Sequence, residues 1–292
     1  MTDRKGIILA GGSGTRLYPL TVAVSKQLLP VYDKPMIFYP LSVLMLSGIT
    51  EVAIITTPGD QRQFQHLLGD GSQWGMTFDY IVQPSPDGLA QAYILAEEFL
   101  QGAPSMMVLG DNIFFGHGLP DLLHKADART EGGTVFGYHV ADPARYGVID
   151  FGPDGEACSI VEKPASPPSN FALTGLYVLD GSAPSRAKTI HPSQRGELEI
   201  TDLLQTYLEE SSLTVETMGR GYAWLDAGTH QSLLEAGDFV RSLVQRQGMQ
   251  VSCPEEIAFR NGWIDREALS RLARDYGESE YGRYLAELAK TT

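Results

Sequence analysis

The chain has 292 residues, 43% of them hydrophobic and 20% charged, which is the ordinary composition of a folded globular protein and excludes extended disorder and fibrous repeats. Thirty-six acidic residues against 22 basic ones give a formal net charge of −14. Because a protein with this much negative charge repels a nucleic-acid backbone, we expect no nucleic-acid partner. If the chain binds phosphate groups, it needs a local cluster of bases, backbone amides or a metal ion.

The compartment is indicated by the cysteines and by the N-terminus. Cys158 and Cys253 are too few for a disulfide framework and suit a reducing compartment, as buried or unreactive thiols. The apolar run at residues 7–10 is too short for a signal peptide, and no stretch approaches the roughly 18 apolar residues of a membrane-spanning helix. We therefore predict a cytoplasmic protein with no membrane partner.

The first half of the chain alternates short apolar strands with helical patterns. Strands are predicted at residues 6–10, 52–57, 78–82 and 105–109, and helices at residues 36–47, 61–68 and 89–100. Strands that are apolar on both faces and alternate with helices are typical of a mostly parallel sheet flanked by helices. The fold class is therefore α/β and Rossmann-like. The carboxyl ends of such strands share one edge of the sheet, where ligands usually bind.

The second half carries longer β runs, followed by helices. Strands are predicted at residues 134–140, 148–151, 157–161 and 171–179. One helix is predicted at residues 199–209, a second begins after an N-cap at Thr229, and short helices follow over residues 254–290. We therefore predict a core over residues 1–250 that includes a β-rich region at about 134–225. A helical C-terminal appendage is expected over residues 251–292.

A glycine-rich segment, LAGGSGTRL at residues 9–17, directly follows the first strand. Three glycines in four positions permit close backbone approach, so that successive amides can converge on phosphate oxygens. The segment is neither a dinucleotide fingerprint, because Leu17 stands in the final glycine position, nor a Walker loop, which requires a lysine that is missing here. Arg16 and Lys26 follow, and two such cations can hold a triphosphate and offset charge on a departing pyrophosphate.

Two aspartates follow predicted strands. Asp111, in LGDN at residues 109–112, ends the fourth strand and is well placed to bind a hard divalent cation. Asp226, in WLDAGT at residues 224–229, precedes a helix and on its own is equally well explained as a turn residue. The histidines form no His-x-x-x-His pair and no cluster with cysteine, so zinc is not expected.

Several motifs resemble those of the sugar-nucleotide pyrophosphorylases, a family also called sugar nucleotidyltransferases. They are GGSGTR at residues 11–16, PLT at 19–21 and KQLLP at 26–30, and the resemblance extends to IAFRNGWI at 257–264. The later motifs resemble the thymidylyl branch of the family. The resemblance implies the nucleotidyltransferase fold, with the β-rich region binding sugar. The implied reaction is direct, Mg²⁺-dependent attack of glucose 1-phosphate on the α-phosphorus of dTTP, which yields dTDP-glucose and pyrophosphate for dTDP-L-rhamnose or other dTDP-deoxysugars.

The resemblance also implies a role for individual residues. The nucleotide-binding residues would be Leu9, Gly11, Gly12, Ser13, Gly14, Thr15, Arg16, Lys26, Gln27, Gln83, Gly88 and Asp111. The sugar-binding residues would be Tyr146, Gly147, Glu162, Lys163, Leu173, Glu197 and Trp224. The catalytic residues would be Arg16, Lys26, Asp111, Lys163 and Asp226, with Asp111 and Asp226 as the metal ligands.

Three of these roles depend on local geometry. Gln83 and Gly88 would contact thymine, the amide by paired hydrogen bonds and the glycine by permitting close packing on the base. Glu162 would accept hydrogen bonds from sugar hydroxyls, and Lys163 would grip the sugar phosphate. On an extended segment, Glu162 and Lys163 point to opposite faces, so we expect that they need not pair with each other.

The family is usually a homotetramer, and dTDP-L-rhamnose can inhibit it near the subunit contacts. Candidate effector residues here are Gly116, His117, Gly118, Arg220 and Arg260, although single arginines beside helices are more often surface ion pairs. The alternatives are a pyrophosphorylase for UTP or galactose 1-phosphate, and a non-catalytic nucleotide-sugar sensor on the same fold. A sensor need not keep both metal carboxylates, so the presence of Asp111 and Asp226 disfavours it. Leu17 disfavours an NAD-dependent oxidoreductase.

Overall fold

A computed structural model describes residues 3–291 of the chain. The strands are β1 (Lys5–Ala10), β2 (Pro30–Val31), β3 (Lys34–Pro35), β4 (Glu51–Thr56), β5 (Thr77–Val82), β6 (Ser105–Leu109), β7 (Asn112–Gly116), β8 (Gly133–His139), β9 (Gly147–Phe151), β10 (Ala157–Glu162), β11 (Phe171–Leu179), β12 (Leu213–Met218) and β13 (Tyr222–Asp226). The helices are α1 (Phe38–Leu46), α2 (Gln61–Leu68), α3 (Gln91–Leu95), α4 (Glu97–Leu100), α5 (Leu119–Asp127), α6 (Ala183–Ala187), α7 (Ile200–Glu209), α8 (His230–Gln247), α9 (Pro254–Arg260), α10 (Arg266–Asp275) and α11 (Glu280–Thr291). No helix in this part of the chain is long and apolar enough to cross a membrane.

A nine-stranded sheet forms the centre of the fold, and its main strand order is β10-β9-β11-β6-β1-β4-β5. The four strands predicted in the first half, β1, β4, β5 and β6, pair in parallel. Their carboxyl ends therefore lie at one edge, as the alternating pattern predicts. Three of these strands are buried on both faces, whereas β5 ends the row and is exposed at Thr77, Asp79 and Val82.

The β-rich second half extends this same sheet. Strand β11 pairs antiparallel with β6, β8 and β9, β10 pairs antiparallel with β9, and β12 pairs in parallel with β8. Strands β7 and β13 form a separate antiparallel pair. The strands of the predicted sugar-side region therefore continue the sheet that carries the glycine loop, and both halves contribute to one surface.

Helices cover both faces of the sheet, because successive residues of a buried strand point to opposite sides. Ile8 of β1 packs in one apolar cluster with residues of α1 and α5. Its neighbour Ile7 belongs to a second cluster with residues of α3, α6 and α7. This arrangement confirms the predicted α/β class.

Some predicted boundaries need correction, and several short elements were not predicted. The helix expected over residues 89–100 is two helices, α3 and α4, because the backbone leaves helical geometry at Ala96. The elements without a sequence prediction are β2, β3, β7, β12, β13, α5 and α6. Most are short: β2 and β3 have two residues each, and β7, β13 and α6 have five, so their sequences carry little periodic signal.

The three C-terminal helices dock on the core through a buried carboxylate. Glu255 of α9 is 0% exposed, and its carboxylate accepts hydrogen bonds from Trp74 Nε1 at 3.1 Å, Tyr276 Oη at 2.9 Å and Tyr281 Oη at 2.5 Å. Trp74 belongs to the core, and the two tyrosines belong to the C-terminal segment. One carboxylate therefore joins the two parts of the chain.

We predict that Glu255→Ala lowers the free energy of unfolding by about 3 kcal/mol, because it removes the carboxylate that accepts from the buried Trp74 Nε1 and Tyr281 hydroxyl and from the partly exposed Tyr276 hydroxyl. Urea unfolding followed by circular dichroism measures the change. The matched control is Glu267→Ala, which removes an exposed ion pair with Arg271 and should cost less than about 0.5 kcal/mol. Equal stability of the two variants would contradict a structural role for Glu255.

Candidate active site

A cavity of about 530 Å³ opens at the carboxyl ends of β1, β5 and β6. Most of the site residues predicted from the sequence line it: Leu9, Gly11, Gly12, Arg16, Lys26, Gln27, Gln83, Gly88, Asp111, Tyr146, Gly147, Glu162, Lys163, Leu173, Glu197, Trp224 and Asp226. Ser13, Gly14 and Thr15 are absent from the cavity wall. They follow Gly12 and lead into the short helical turn Thr15–Leu17, which carries Arg16.

The glycine loop lies close to the end of β5. Gly12 has φ +101°, a conformation that favours glycine. At Gly11 the constraint is space, since a Cβ atom there would lie 2.0 Å from Gln83 Oε1. The loop is closed by Thr21, whose Oγ1 donates a hydrogen bond to Gly14 O at 2.8 Å. The sequence therefore places a bare backbone beside the Gln83 amide.

Lys26 and Asp111 form an ion pair in the cavity wall. Asp111 is 9% exposed, and its Oδ1 also accepts a hydrogen bond from Asn112 Nδ2 at 3.0 Å. Burial alone would raise the pKa of the Asp111 carboxyl, but the charge and hydrogen bond of Lys26, helped by Asn112, hold that pKa below its ordinary value. Asp111 is therefore ionised at neutral pH.

Strand pairing brings Asp226 beside Asp111. In the antiparallel pair β7–β13, Asp226 stands opposite Asn112, and Ala227 N donates to Asp111 O at 3.0 Å. Burial raises the pKa of the Asp226 carboxyl, and the negative charge of Asp111 raises it further. Asp226 is the last residue of β13 and lies just before α8. The start of α8 is fixed by the predicted N-cap, because Thr229 accepts a hydrogen bond from Ser232 N.

The two carboxylates fit a divalent cation. Within residues 3–291 no hydrogen bond or ion pair to the Asp226 side chain is found, so its charge next to Asp111 is uncompensated by direct contact. The same residues contain no group of three or more His, Cys, Asp or Glu side chains with metal-binding geometry. Mg²⁺ is commonly held by one or two carboxylates, with substrate phosphates and water completing its octahedron, so two carboxylates in the wall of one cavity suffice.

Glu162 and Lys163 pair with each other, so the expectation that they point to opposite faces is wrong. Lys163 Nζ lies 3.1 Å from Glu162 Oε1. The reason is the backbone: Lys163 has φ +40°, so the chain turns out of the extended conformation at that residue. Arg195 approaches the same carboxylate at 3.4 Å and Glu197 at 2.9 Å. Arg195 also lies 3.3 Å from Glu199, so two cations and three carboxylates form one cluster at the far side of the cavity.

Aromatic side chains lie between the aspartates and this cluster. The rings of Tyr146 and Trp224 are 5.1 Å apart, and Trp224 Nε1 donates to Asn112 Oδ1 at 2.6 Å. Gly147 is close to its neighbours, since a Cβ atom there would lie 3.1 Å from Thr201 Cγ2. The resulting surface is apolar with polar edges, which suits a sugar ring.

The fold leaves no room for a side chain at Gly88. A Cβ atom at this position would lie 2.3 Å from the Leu198 carbonyl oxygen, and φ is +114°. Leu198 N donates to Asp87 O at 2.7 Å, and Ala90 N donates to Leu198 O at 3.1 Å. The glycine therefore lets the loop after β5 approach the segment that leads into α7, and so joins the two sides of the cavity.

Sequence reasoning missed several residues of the cavity wall: Asn112, Arg145, Tyr177, Arg195 and Glu199. It also missed Gly228, which is not part of that wall but lies beside Arg16 and Asp226. Gly228 separates two functional groups, because a Cβ atom there would lie 2.8 Å from Asp226 Oδ1 and 3.0 Å from Arg16 Nη2. Arg195 stands in the RGELEITD motif at residues 195–202, so its sequence context was visible. Asn112 stands in the LGDN motif, but its contacts with Gly175 and Trp224 come from distant parts of the chain. Tyr177 is a single strand residue and carries no pattern of its own.

The candidate effector residues lie outside this cavity wall. A Cβ atom at Gly116 would lie 3.1 Å from Gly221 O, so Gly116 is close to the turn that contains Arg220. Arg260, at the end of α9, pairs with Glu256 at 2.7 Å.

Comparison with other proteins identifies the family. The sequence profile of the family described as nucleotidyl transferase matches residues 5–242. A glucose-1-phosphate thymidylyltransferase of Xanthomonas campestris is 63% identical over 99% of this chain and 98% of its own length. A protein of the same name from Neisseria meningitidis is 56% identical over 98% of this chain and 99% of its own length. Another from Mycobacterium tuberculosis is 52% identical over 97% of this chain and 98% of its own length.

Solved structures agree with this relationship. A Bacillus anthracis protein assigned to the glucose-1-phosphate thymidylyltransferases superposes with a TM-score of 0.76 at 41% identity, over 82% of this chain and 95% of that one. A UDP-glucose pyrophosphorylase bound to UDP-glucose superposes with a TM-score of 0.73 at 25% identity, over 82% of this chain and 98% of that one. The chain therefore belongs to the nucleotidyl transferase family and, within it, to the group of the glucose-1-phosphate thymidylyltransferases.

Proposed function

We propose that this enzyme joins dTTP and α-D-glucose 1-phosphate into dTDP-glucose with release of pyrophosphate. The observation that carries the proposal is the charge pattern of one cavity. Arg16 and Lys26 lie at its glycine-loop side and Lys163 and Arg195 at its other side, with Asp111 and Asp226 in the same wall. The near relatives named for this activity support the choice of substrates.

The nucleotide would lie against the glycine loop. Gly11 and Gly12 offer backbone without side chains in the way, and Gln83 offers its amide to the base. Arg16 and Lys26 would contact the triphosphate and take up the charge that develops on the leaving pyrophosphate. Lys26 would exchange its pairing with Asp111 for contact with phosphate oxygens.

Glucose 1-phosphate would lie at the opposite side. Glu162, freed from its ion pairs, would accept hydrogen bonds from sugar hydroxyls, next to the Tyr146 and Trp224 rings. Lys163 and Arg195 would hold the sugar phosphate. These two cations neutralise carboxylates in the absence of substrate, so phosphate binding replaces one set of ion pairs with another.

Asp111 and Asp226 would hold Mg²⁺, which when bound supplies charge neutralisation at the α-phosphate. Asn112 holds Asp111 in place, because its Oδ1 already accepts from Trp224 and from Gly175 N at 3.1 Å, which leaves its Nδ2 to donate to Asp111. The strand pair β7–β13 fixes the two carboxylates relative to each other.

The reaction needs no general base. A phosphate monoester has a second pKa of about 6 and is mostly a dianion at neutral pH. Its oxygen forms the new bond to the α-phosphorus, and the bond between the α-phosphorus and the bridging oxygen breaks, so that pyrophosphate leaves with the electron pair. The protein's contribution is to position two anions and to neutralise their charge.

The test is a matrix of nucleoside triphosphates against sugar 1-phosphates, scored by the pyrophosphate released. We expect the largest kcat/KM for dTTP with glucose 1-phosphate. Preference for UTP or galactose 1-phosphate would assign another specificity to the same chemistry. Tight binding of dTDP-glucose without any pyrophosphate release would instead indicate a sensor.

We predict that Lys163→Ala raises KM for glucose 1-phosphate by about tenfold or more and changes KM for dTTP little, because one charge-assisted contact to the sugar phosphate is lost. Steady-state kinetics with each substrate varied in turn measures both constants. Lys188→Ala, which removes a surface lysine paired with Glu97, is the control and should leave both constants unchanged. Equal effects of Lys163→Ala on both KM values would place this lysine elsewhere.

We further propose the assembly and setting expected for the family. The enzyme would be a cytoplasmic homotetramer, in keeping with its two free cysteines, and dTDP-L-rhamnose would act as an effector. The proximity of Gly116 to the turn around Arg220 supports an effector site there. The core would comprise residues 1–250 and the appendage residues 251–292, in keeping with the separate apolar cluster around Leu269, Tyr281 and Leu285.

A further inference from the structure

A chain of hydrogen bonds runs from Gln83 to a carboxylate on the rim of the cavity. Gln83 Nε2 donates to Gln91 Oε1 at 2.7 Å, and Gln91 Nε2 donates to Asp87 Oδ2 at 2.9 Å. Ser85 Oγ donates to the same Asp87 oxygen. All four residues belong to the loop after β5 or to the first residue of α3.

The carboxylate decides which way both amides face. An ionised Asp87 can only accept hydrogen bonds, so Gln91 must turn its NH₂ group towards Asp87 and its oxygen towards Gln83. Gln83 must then turn its own NH₂ group towards Gln91. A free glutamine amide has no such preference, because its two ends are nearly equal in size.

This orientation determines what the cavity offers to a base. Gln83 is 5% exposed, and its Oε1 lies against Gly11, where a Cβ atom would be 2.0 Å away. In the described part of the chain, no donor contacts this oxygen. The amide therefore keeps one unpartnered acceptor and one remaining N–H, and Gln83 itself lies in the wall of the cavity.

We infer that Asp87 and Gln91 are positioning residues that set the choice of base by holding Gln83 as an acceptor. The inference rests on the proposed function, in which Gln83 meets thymine. Thymine presents N3–H as a donor beside an acceptor carbonyl, so it matches an amide with its oxygen in place. Cytosine presents an acceptor at N3 beside a 4-amino donor, so it needs the amide turned by 180°.

Turning the amide is costly because of the carboxylate. If Gln83 alone turns, its oxygen faces the oxygen of Gln91. If Gln91 turns as well, its oxygen faces the Asp87 carboxylate. In either arrangement two acceptor oxygens face each other and a hydrogen bond is lost. Binding of cytosine is therefore disfavoured, in addition to the favourable contacts made with thymine.

The variant Asp87→Asn tests the inference directly, because asparagine is equally large but can donate as well as accept. Both amides can then turn together, so binding of dCTP should strengthen. We expect the ratio of the dissociation constants for dCTP and dTTP to fall about tenfold, the worth of one mismatched hydrogen bond. Titration calorimetry measures both constants, and pyrophosphate release with each triphosphate is recorded alongside.

Two further variants make the result decisive. Ser85→Ala removes a hydroxyl from the same carboxylate but leaves the carboxylate in place, so the ratio should stay as in the unaltered protein. Gln91→Leu cuts the chain of hydrogen bonds, so the ratio should fall as it does in Asp87→Asn. General damage to the loop would weaken both triphosphates and leave the ratio unchanged.

The outcomes separate this inference from the proposed function. An unchanged ratio in both Asp87→Asn and Gln91→Leu overturns the inference, even if the unaltered protein makes dTDP-glucose. A ratio that falls as expected in a protein that releases no pyrophosphate supports the inference and refutes the proposed reaction. Failure of the unaltered protein to prefer dTTP over dCTP overturns the inference as well.

Discussion

Replacing Asp111 with Asn is expected to lower kcat for pyrophosphate release by a factor of about 10²–10³, the usual cost of one well-placed charge in such a site. The carboxylate is one of two that would hold Mg²⁺, and it is ionised because Lys26 compensates for its burial. Asparagine has nearly the same shape, and the main-chain oxygen that accepts from Ala227 is unchanged. The fold should therefore persist while the charge is lost.

Pyrophosphate release from dTTP and glucose 1-phosphate measures this loss, and circular dichroism verifies the fold. Asp121→Asn, which neutralises an exposed carboxylate in the first turn of α5, is the control and should leave kcat unchanged. Mn²⁺ binding followed by paramagnetic resonance should weaken in Asp111→Asn only. Turnover near that of the unaltered protein would reject Asp111 as a metal ligand.

The second large effect is expected for Arg16→Ala, which should lower kcat/KM for dTTP by about 10²–10³. Arg16 lies in the turn after the glycine loop and shares the space around Gly228 with Asp226. In this account, its guanidinium contacts the phosphates that leave as pyrophosphate. Its removal takes away a charge that is needed most as the bond to the leaving group breaks.

Kinetics with dTTP varied at saturating glucose 1-phosphate separates kcat from KM for this variant. Arg241→Ala provides the matched control, because it removes an arginine from α8 that is 48% exposed and pairs with Asp238 at the surface. A normal kcat and a normal KM for dTTP in Arg16→Ala would show that this arginine makes no contact with the triphosphate.

The parallel half of the fold could be predicted well from the sequence. Its strands are short apolar runs bounded by glycine, proline or aspartate, and their burial on both faces leaves a strong local pattern. The predicted strand at residues 105–109 and helix at residues 61–68 have the observed bounds. The pair β7–β13 escaped prediction, because each strand is stabilised by a partner more than 100 residues away in the chain.

The candidate site shows the same difference between residues in local motifs and residues whose partners are distant in the chain. The place of Arg16 and Asp111 in the cavity wall could be predicted because each stands in a motif next to a predicted strand end, and that of Lys26 because it stands in the KQLLP motif. Asn112 and Gly228 stand inside the LGDN and WLDAGT motifs, but they were not singled out, because Asn112 depends on Trp224 and Gly228 on Arg16, which only the fold brings to them. The pairing of Glu162 with Lys163 depends on one positive φ angle, which a non-glycine residue rarely adopts and which an extended pattern cannot reveal.

The most direct test of the account is a crystal structure with Mg²⁺, glucose 1-phosphate and a dTTP analogue whose α- and β-phosphorus atoms are joined by a methylene group. We predict both ligands in the one cavity, with a sugar-phosphate oxygen about 3–3.5 Å from the α-phosphorus and in line with the methylene carbon. Lys163 and Arg195 should contact the sugar phosphate, and Arg16 and Lys26 the triphosphate. Ligands bound at separate surfaces, or phosphates that face away from each other, would contradict direct transfer between them.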